Sequence, residues 1–173
     1  MKHATRFHRL AATTLAVGVA AAAAATASTA GGSGGSASSH RVTLRLVEKD
    51  VVSNFIDNPP RQGTNAPPSI GDRIAFRSEL LTPARNHAGW LDATCTVTAG
   101  GPRGGGPCHA VFSFTSGQLM GITLLRFAND TTHVAIVGGT GVYRGATGTL
   151  DSVKRGESEF VDTFHLLMRG GAS

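Results

Sequence analysis

Apolar and polar residues alternate along most of the chain after its first 40 residues. In the segment 41–52, Leu44 and Leu46 alternate with Thr43 and Arg45. Because successive side chains of a β-strand point to opposite faces, this two-residue period indicates a strand with one buried face. Clusters of turn-forming residues separate similar segments, and no interval carries a helical period. Eight strands are predicted, over residues 41–52, 74–81, 89–98, 108–115, 118–127, 131–137, 145–154 and 159–168.

The count and spacing of these strands limit the fold class. Short strands at regular spacing are typical of an all-β sandwich or barrel. Residues 41–173 form a segment of about 130 residues, which is the size of one domain. Eight antiparallel strands can close into an up-and-down barrel whose interior holds one small ligand.

The first 30 residues have the composition of a secretory signal peptide. Basic residues that include Arg6 and Arg9 precede an apolar run at 10–25, and cleavage after Ala27 or Ala30 fits the small residues that follow. The run is too short and too rich in alanine to be a comfortable membrane span. The arginines are not adjacent, which favours the general secretory route. We predict a secreted protein, extracellular or periplasmic, with no membrane contact once the leader is removed.

Composition and charge narrow the choice of partners. Residues 31–40 are a Gly/Ser/Ala-rich linker. The chain has 16 basic and 11 acidic residues, but Lys2, Arg6 and Arg9 belong to the leader, so the remainder is nearly balanced. Its basic residues are scattered singly, and no basic stripe predicts a nucleic-acid partner.

The first strand carries two carboxylates on its apolar face. One face of this strand holds Leu44, Leu46, Glu48, Asp50 and Val52, and we predict that it points inward. Burial of an unpaired carboxylate is costly, so such a group shifts its pKa or finds a partner. A raised pKa suits a general acid near neutral pH. The alternative is a strand that frays or flips, with both carboxylates solvated or paired with arginines.

The two cysteines lie on consecutive predicted strands. A hairpin folded about residues 99–107 places Cys95 opposite Cys108, and in an exported protein such a pair is usually a disulfide. A zinc site is not predicted, because the cysteines lack histidines at ligand spacing and His109 points to the opposite face of its strand.

The most specific motif is Gly138-Gly139-Thr140-Gly141, followed by Tyr143 and by a second glycine cluster at 145–148. An apolar strand that ends in glycines first suggests a dinucleotide site. That site requires a helix next, whereas the residues that follow are β-branched and alternating, which indicates another strand. A glycine-rich hairpin of any small barrel would fit the motif as well.

This motif resembles the dirigent and allene oxide cyclase superfamily, in which a strand ends in Gly-Gly-Thr/Ser-Gly, an aromatic residue follows two positions on, and another strand begins beyond it. Residues 71–76 and 112–117 also resemble segments of the cyclases. The resemblance implies an eight-stranded antiparallel up-and-down β-barrel, like those of lipocalins and allene oxide cyclases, which we predict for residues 41–173.

The resemblance also assigns candidate site residues. Cyclases carry a cavity glutamate on the first strand and an asparagine two positions later, which match Glu48 and Asp50, and a dirigent cavity aspartate matches Asp50. We predict these two residues as catalytic. A second-strand asparagine of the cyclases corresponds to Ser78, and their cavity tyrosine falls near Phe127 or Ala128.

The chain departs from both branches of the superfamily. Phe127 lacks a hydroxyl group, and Thr147 stands where dirigent proteins have an arginine. Two functions therefore stay open. The first is a barrel that steers cyclisation or coupling of a small apolar, oxygenated metabolite, which would be isomerase or cyclase activity in the sense of the family. The second is a ligand-binding or structural barrel without turnover.

An apolar pocket and a homotrimer complete the expectations. No cofactor is predicted, and Leu46, Ser78, Phe112, Phe114 and Phe127 are the predicted substrate-binding residues. Further predicted lining residues are Leu44, Ile122 and Leu124. The resemblance implies a trimer packed through outer barrel faces, and Trp90 on the third strand belongs to one such face.

Overall fold

The computed structural model of the protein describes residues 38–58 and 66–169. The predicted leader, residues 1–30, and most of the predicted linker, residues 31–37, lie outside the described residues. Each strand pairs antiparallel with its neighbours in sequence, and the last strand pairs with the first, so the barrel is closed. The strands are β1 (Ser39–Ile56), β2 (Arg73–Leu81), β3 (His87–Thr96), β4 (Gly105–Phe114), β5 (Gly117–Arg126), β6 (Thr131–Gly139), β7 (Thr147–Lys154) and β8 (Glu159–Arg169).

The predicted fold class is confirmed, because all eight predicted strands occur and they close into an up-and-down antiparallel barrel. One short 3₁₀ helix, Gly141–Tyr143, interrupts the strand order between β6 and β7. In the described part of the chain, no helix has the length and apolar character needed to cross a membrane.

One end of the barrel interior is filled by side chains. Leu80 at the end of β2, Leu119 at the start of β5 and Phe164 on β8 are fully buried there. The Phe164 ring meets Phe112 edge to face, with a centroid separation of 5.0 Å. This packed end holds the strands in place and leaves the interior at the opposite end available for a cavity.

A β-bulge on β1 changes which side chains point inward. The register between β1 and β2 shifts between Asp50 and Val52, so Val51 is an extra residue on β1. The predicted inward position of Val52 is therefore wrong, and this side chain is 46% exposed. Ser53 lines the interior in its place.

The inward face of β5 also differs from the prediction. Residues paired across an antiparallel ladder point to the same side of the sheet, and the buried Phe112 on β4 pairs with Leu119 on β5. Every second residue from Leu119 therefore points inward. Ile122 and Leu124, which we predicted in the lining, point outward and are 44% and 53% exposed.

The glycine motif closes the packed end of the barrel. The backbone N–H of Thr140 donates to the carbonyl of Gln118 at 2.8 Å, and the Tyr143 ring packs on Phe114 at 5.4 Å between centroids. Gly141 has a φ of 58°, a left-handed conformation that favours glycine. Strand β7 follows the motif, as predicted, where a dinucleotide site would require a helix.

Candidate functional site

A cavity of about 210 Å³ lies inside the barrel at the end opposite the glycine motif. Every strand contributes to its wall, mainly from the second half of odd-numbered strands and the first half of even-numbered ones, because neighbouring strands run in opposite directions. Most of the wall is apolar, and it includes Phe76, Leu91, Phe112, Leu125, Val134 and Phe160. A small apolar cavity with a few polar groups is the usual form of a small-molecule site.

Glu48 is the central polar residue of this cavity. The alternation of β1 directs its side chain inward between those of Leu46 and Asp50, and only 5% of the residue is exposed. Burial, and then the nearby charge of Asp162, raises the pKa of Glu48 to about 8. Glu48 therefore holds its proton at neutral pH and can donate it into the cavity.

Asp162 on β8 is the second buried carboxyl group and was missed by the sequence analysis. Asp162 is fully buried, and neither of its side-chain oxygens makes a hydrogen bond of ordinary geometry with the described residues. Burial raises the pKa of Asp162 to about 6, although Ser152 and Glu48 lie close enough to lower it somewhat. At neutral pH the pair therefore holds one proton, mainly on Glu48.

A sequence signal for Asp162 was present. The inward face of β8 is otherwise apolar, with Phe160, Phe164, Leu166 and Met168 at every second position around Asp162. A carboxylate on an apolar strand face is the same pattern that led to Glu48. The pairing of β8 with β1, which brings the two acids together, is a property of barrel closure.

Asp50 and Ser78 form a hydrogen-bonded pair beside Glu48. They face each other across the β1–β2 ladder, and the Ser78 hydroxyl donates to Asp50 Oδ1 at 2.9 Å. Ser78 is fully buried and also lies near Glu48, where it opposes the rise in the Glu48 pKa. The structure thus brings together three residues predicted for the site and adds Asp162.

Two buried carboxyl groups with different pKa values can divide the roles of acid and base. Glu48 has the higher pKa and keeps the proton, while Asp162 gives its proton up first. Such a separation of environments is how enzymes assign acid and base roles to like groups. The arrangement can offer a proton or a strong hydrogen bond to an oxygen of a molecule in the cavity.

The predicted disulfide between Cys95 and Cys108 is present, and it forms part of the cavity wall. The two residues pair directly across the β3–β4 ladder, as the hairpin prediction required. His109 follows Cys108 on β4 and is exposed on the outer face. No group of three metal-ligating side chains with suitable geometry occurs within residues 38–58 and 66–169.

The remaining predicted binding residues lie in different places. Phe112 lines the cavity. Leu46 is a core residue two positions before Glu48 on β1. Phe114 packs with Tyr143 at the packed end of the barrel. Phe127 follows the end of β5, is half-buried and does not contribute to the cavity wall.

Residues 71–76, which resemble a segment of the cyclases, have a structural role at the end of the barrel that holds the cavity. Asp72 is fully buried and accepts hydrogen bonds from the backbone N–H groups of Asn58 and Ser69, at 2.8 and 2.7 Å. These bonds tie both ends of the β1–β2 connection to the start of β2. Asp72 therefore supports the rim of the cavity from outside its wall.

No protein-family model matches the chain, and no curated protein matches it in sequence. Solved structures do match. A pyocyanin demethylase has a TM-score of 0.63 at 21% identity, over 72% of this chain and 99% of the demethylase. A pterocarpan synthase dirigent protein has a TM-score of 0.56 at 16% identity, over 77% of this chain and 97% of its own.

A third match is AbnU, described as an exo-specific intermolecular Diels-Alderase. Its TM-score is 0.56 at 15% identity, over 75% of this chain and 98% of its own. At these identities the likeness is one of fold. The predicted resemblance to dirigent proteins is confirmed at that level.

Proposed function

We propose that this protein binds a small apolar, oxygenated metabolite in the barrel cavity and steers its cyclisation or coupling. The observation that carries the proposal is Glu48, a carboxyl group that keeps its proton at neutral pH on the wall of an apolar cavity. The names of two fold neighbours, a dirigent protein and a Diels-Alderase, support chemistry in which a barrel guides bond formation.

The proposed step requires only a proton donor and a fixed shape. Glu48 donates a hydrogen bond to an oxygen of the bound molecule and draws electron density from the adjoining carbon, which assists ring closure. The proton returns to the Glu48 carboxylate once the new bond has formed, so no other reactant is consumed. The apolar wall holds the molecule in one conformation, and such positioning can supply a large part of a rate enhancement.

Asp50 and Ser78 serve as positioning residues in this proposal. Their hydrogen bond fixes the Ser78 hydroxyl next to Glu48. Burial keeps Glu48 protonated, and the repulsion of like charges from Asp162 across the β1–β8 ladder adds to that effect. The acid is thus prepared for donation before the ligand enters.

A carrier without turnover is the second candidate. The observation that favours it is the position of Phe127, which lies outside the cavity wall where the cyclase resemblance implied a cavity tyrosine. The cavity thus lacks one hydrogen-bond donor of that constellation. A carrier would need Glu48 for affinity at most.

The two candidates differ in their response to Glu48→Gln. We expect the wild-type protein, incubated with metabolite extracts, to change the stereoisomer ratio of a product, and the variant to lose this effect by roughly 10²–10⁴-fold, the usual contribution of a general acid. Asp92→Asn, on the outer face of β3, is the matched control and keeps full activity. Unchanged turnover in Glu48→Gln would defeat the catalytic role.

The surroundings proposed for the protein are extracellular or periplasmic. The predicted leader and the disulfide between Cys95 and Cys108 both support export, because such bonds persist in oxidising compartments.

The proposed assembly is a homotrimer, with a contact face that differs from the one suggested by the sequence. Trp90 on β3 is covered within its own chain, by the Arg77 guanidinium at 4.7 Å and the His87 ring at 5.3 Å from its ring centroid. The outward residues of β5, Ile122 and Leu124, are apolar and exposed. The β5 face is therefore the proposed subunit contact.

A further inference from the structure

Uncharged hydroxyl side chains belong to the cavity wall besides its acidic groups. They are Ser53 on β1, Thr123 on β5, Thr132 on β6 and Ser152 on β7. In the closed order of eight strands, β5 lies opposite β1, the strand that carries Glu48. Thr123, Thr132 and Ser152 therefore form a hydroxyl strip that runs from the wall opposite β1 round to β7.

The strand ladders bring the members of the hydroxyl strip side by side. Thr132 and Ser152 pair directly across the β6–β7 ladder, and both line the cavity. The registered β5–β6 ladder ends at the pair of Ile122 and Ala135, and Thr123 is the next residue of β5. Because inward residues alternate along both strands, Thr123 and Thr132 are diagonal neighbours on the inner face.

Two members of the strip already direct their protons elsewhere. The Thr123 hydroxyl donates to the backbone carbonyl of His133 at 2.6 Å. Ser152 lies beside Asp162 and opposes the rise that burial causes in the pKa of Asp162, and a hydroxyl has this effect when its proton points to the carboxylate. The oxygens of Thr123 and Ser152 therefore remain available as hydrogen-bond acceptors.

The two polar parts of the cavity thus differ in hydrogen-bonding character. The protonated Glu48 offers a donor, whereas the hydroxyl strip offers acceptor oxygens. An apolar group placed against the strip would remove water from these oxygens without replacing its hydrogen bonds, which is unfavourable. The wall therefore favours a molecule that carries both an acceptor and a donor.

We propose that the hydroxyl strip is a second binding subsite, and that the ligand is a hydroxy-carbonyl compound with an apolar body. Its carbonyl oxygen accepts a hydrogen bond from Glu48, and its hydroxyl group donates to the strip. This inference rests on the proposed function in taking Glu48 as the donor to the ligand, and it specifies the substrate class. Attachment at two points fixes the direction in which the molecule lies, which attachment at Glu48 alone leaves open.

Three bicyclic ketones of similar shape test for the second subsite. They are 6-hydroxy-1-tetralone, 6-methyl-1-tetralone and 6-methoxy-1-tetralone, which place a donor, an apolar group and an acceptor at the same position. Calorimetry in mildly acidic buffer keeps both the phenol and Glu48 protonated. We expect the hydroxy compound to bind at least about tenfold more tightly than either of the others. Equal or tighter binding of the methyl compound would overturn the inference, and so would failure of all three ketones to bind.

Variants locate the subsite on the wall. Thr132→Val and Ser152→Ala should each weaken binding of the hydroxy compound by at least about threefold, without weakening that of the methyl compound. Thr94→Val, on the outer face of β3, is the matched control and should change neither. No loss in either cavity variant would overturn the inference. If these variants fail to fold, the comparison of the ketones in the wild-type protein still decides.

The Asp50 carboxylate is the competing partner for the ligand hydroxyl group, because it also belongs to the cavity wall. We expect Asp50→Asn to keep the preference for the hydroxy compound over the methyl compound. Loss of that preference in Asp50→Asn, with none in Thr132→Val or Ser152→Ala, would place the ligand hydroxyl group at β1 and overturn the second subsite.

The outcomes separate this inference from the proposed function. Loss of product in Glu48→Gln together with equal binding of the hydroxy and methyl compounds would retain the function and reject the subsite. Preference for the hydroxy compound together with full turnover in Glu48→Gln would retain the subsite and reject the catalytic acid.

Discussion

Glu48 and Asp162 are two carboxyl groups in one buried site. The unfavourable free energy of a charge in that site determines the pKa of both groups. Burial is the larger cause of the raised pKa of each group, and repulsion between them adds to it for Glu48. Each shift is also a statement about stability, because the folded state binds these protons more tightly than the unfolded chain does.

The raised pKa values predict how the stability of the protein depends on pH. A carboxyl group whose pKa is raised by folding stabilises the folded state fully at pH values below its pKa in the unfolded chain. This stabilisation is lost as the pH rises through the pKa of the group in the folded state. For Glu48 this window runs from 4.5 to about 8, and for Asp162 it ends at about 6. Between pH 6 and 8 we expect the free energy of unfolding to fall by about 1 kcal/mol per pH unit.

Glu48→Gln should remove that slope, because a neutral amide has no proton to lose. Denaturant unfolding at a series of pH values measures it, and the variant should exceed the wild type in stability at pH 8. Asp92→Asn, which changes an exposed acid, should keep the wild-type slope. A slope that persists in Glu48→Gln would show that another group is responsible.

How far the site could be predicted differs from residue to residue. Glu48 and Asp50 stood out because carboxylates on an apolar strand face require a reason. Asp162 carried the same signal, but its partner is on β1, at the other end of the sequence. Phe127 was placed by the cyclase resemblance alone, and the chain turns out of the barrel before it can reach the cavity.

Within the turn that follows β6, the local backbone geometry decides which of the glycines are required. A Cβ on Gly139 would lie 2.5 Å from the carbonyl oxygen of Gln118 and 2.6 Å from that of Tyr143. A Cβ on Gly138 would meet only the end of the Met120 side chain, at 3.5 Å. The turn can therefore pack against β5 only if the second residue of the motif is glycine. The first position does not require glycine.

Alanine substitutions at the two neighbouring glycines should therefore differ in their effect on stability. Gly139→Ala should lower the melting temperature strongly, because backbone atoms must move to admit the methyl group, at a cost of roughly 1–3 kcal/mol. Gly138→Ala should leave it nearly unchanged. Thermal unfolding of both variants provides the measurement, and equal effects would contradict the packing described for this turn.

Strand positions were predictable because the two-residue period follows from burial of one face. The orientation of β5 was not, since β5 is apolar on both faces and its pattern fits either orientation equally well. Its ladder with β4 decides the matter. The bulge at Val51 was equally hidden, because no glycine or proline marks it in the sequence.

For the whole molecule, closure of the barrel explains both the site and the proposed assembly. Closure pairs β8 with β1 and so joins Asp162 to Glu48. It also leaves no free strand edge, so any association of chains must use outer faces. The resemblance of the glycine motif led to this fold, and the two-residue period alone left a sandwich open.

The prediction for assembly is tested by light scattering of the protein without its predicted leader. We expect a mass three times that of one chain, and a shift toward single chains in Ile122→Lys, which places a charge in the exposed apolar face of β5. Thr94→Lys, on the outer face of β3, is the control and should remain trimeric. A wild-type mass of one chain would refute the trimer, and dissociation by Thr94→Lys alone would move the contact to β3.

A protonated Glu48 inside the cavity is the central requirement of the proposed function, and ¹³C NMR of the glutamate side-chain carboxyl carbons measures its protonation directly. The Glu48 signal is assigned as the one missing in Glu48→Gln and is followed from acidic to alkaline pH. We expect a titration midpoint at about 8. A midpoint near the ordinary value of 4.5 would mean that Glu48 is ionised at neutral pH, and it would contradict the proposed acid.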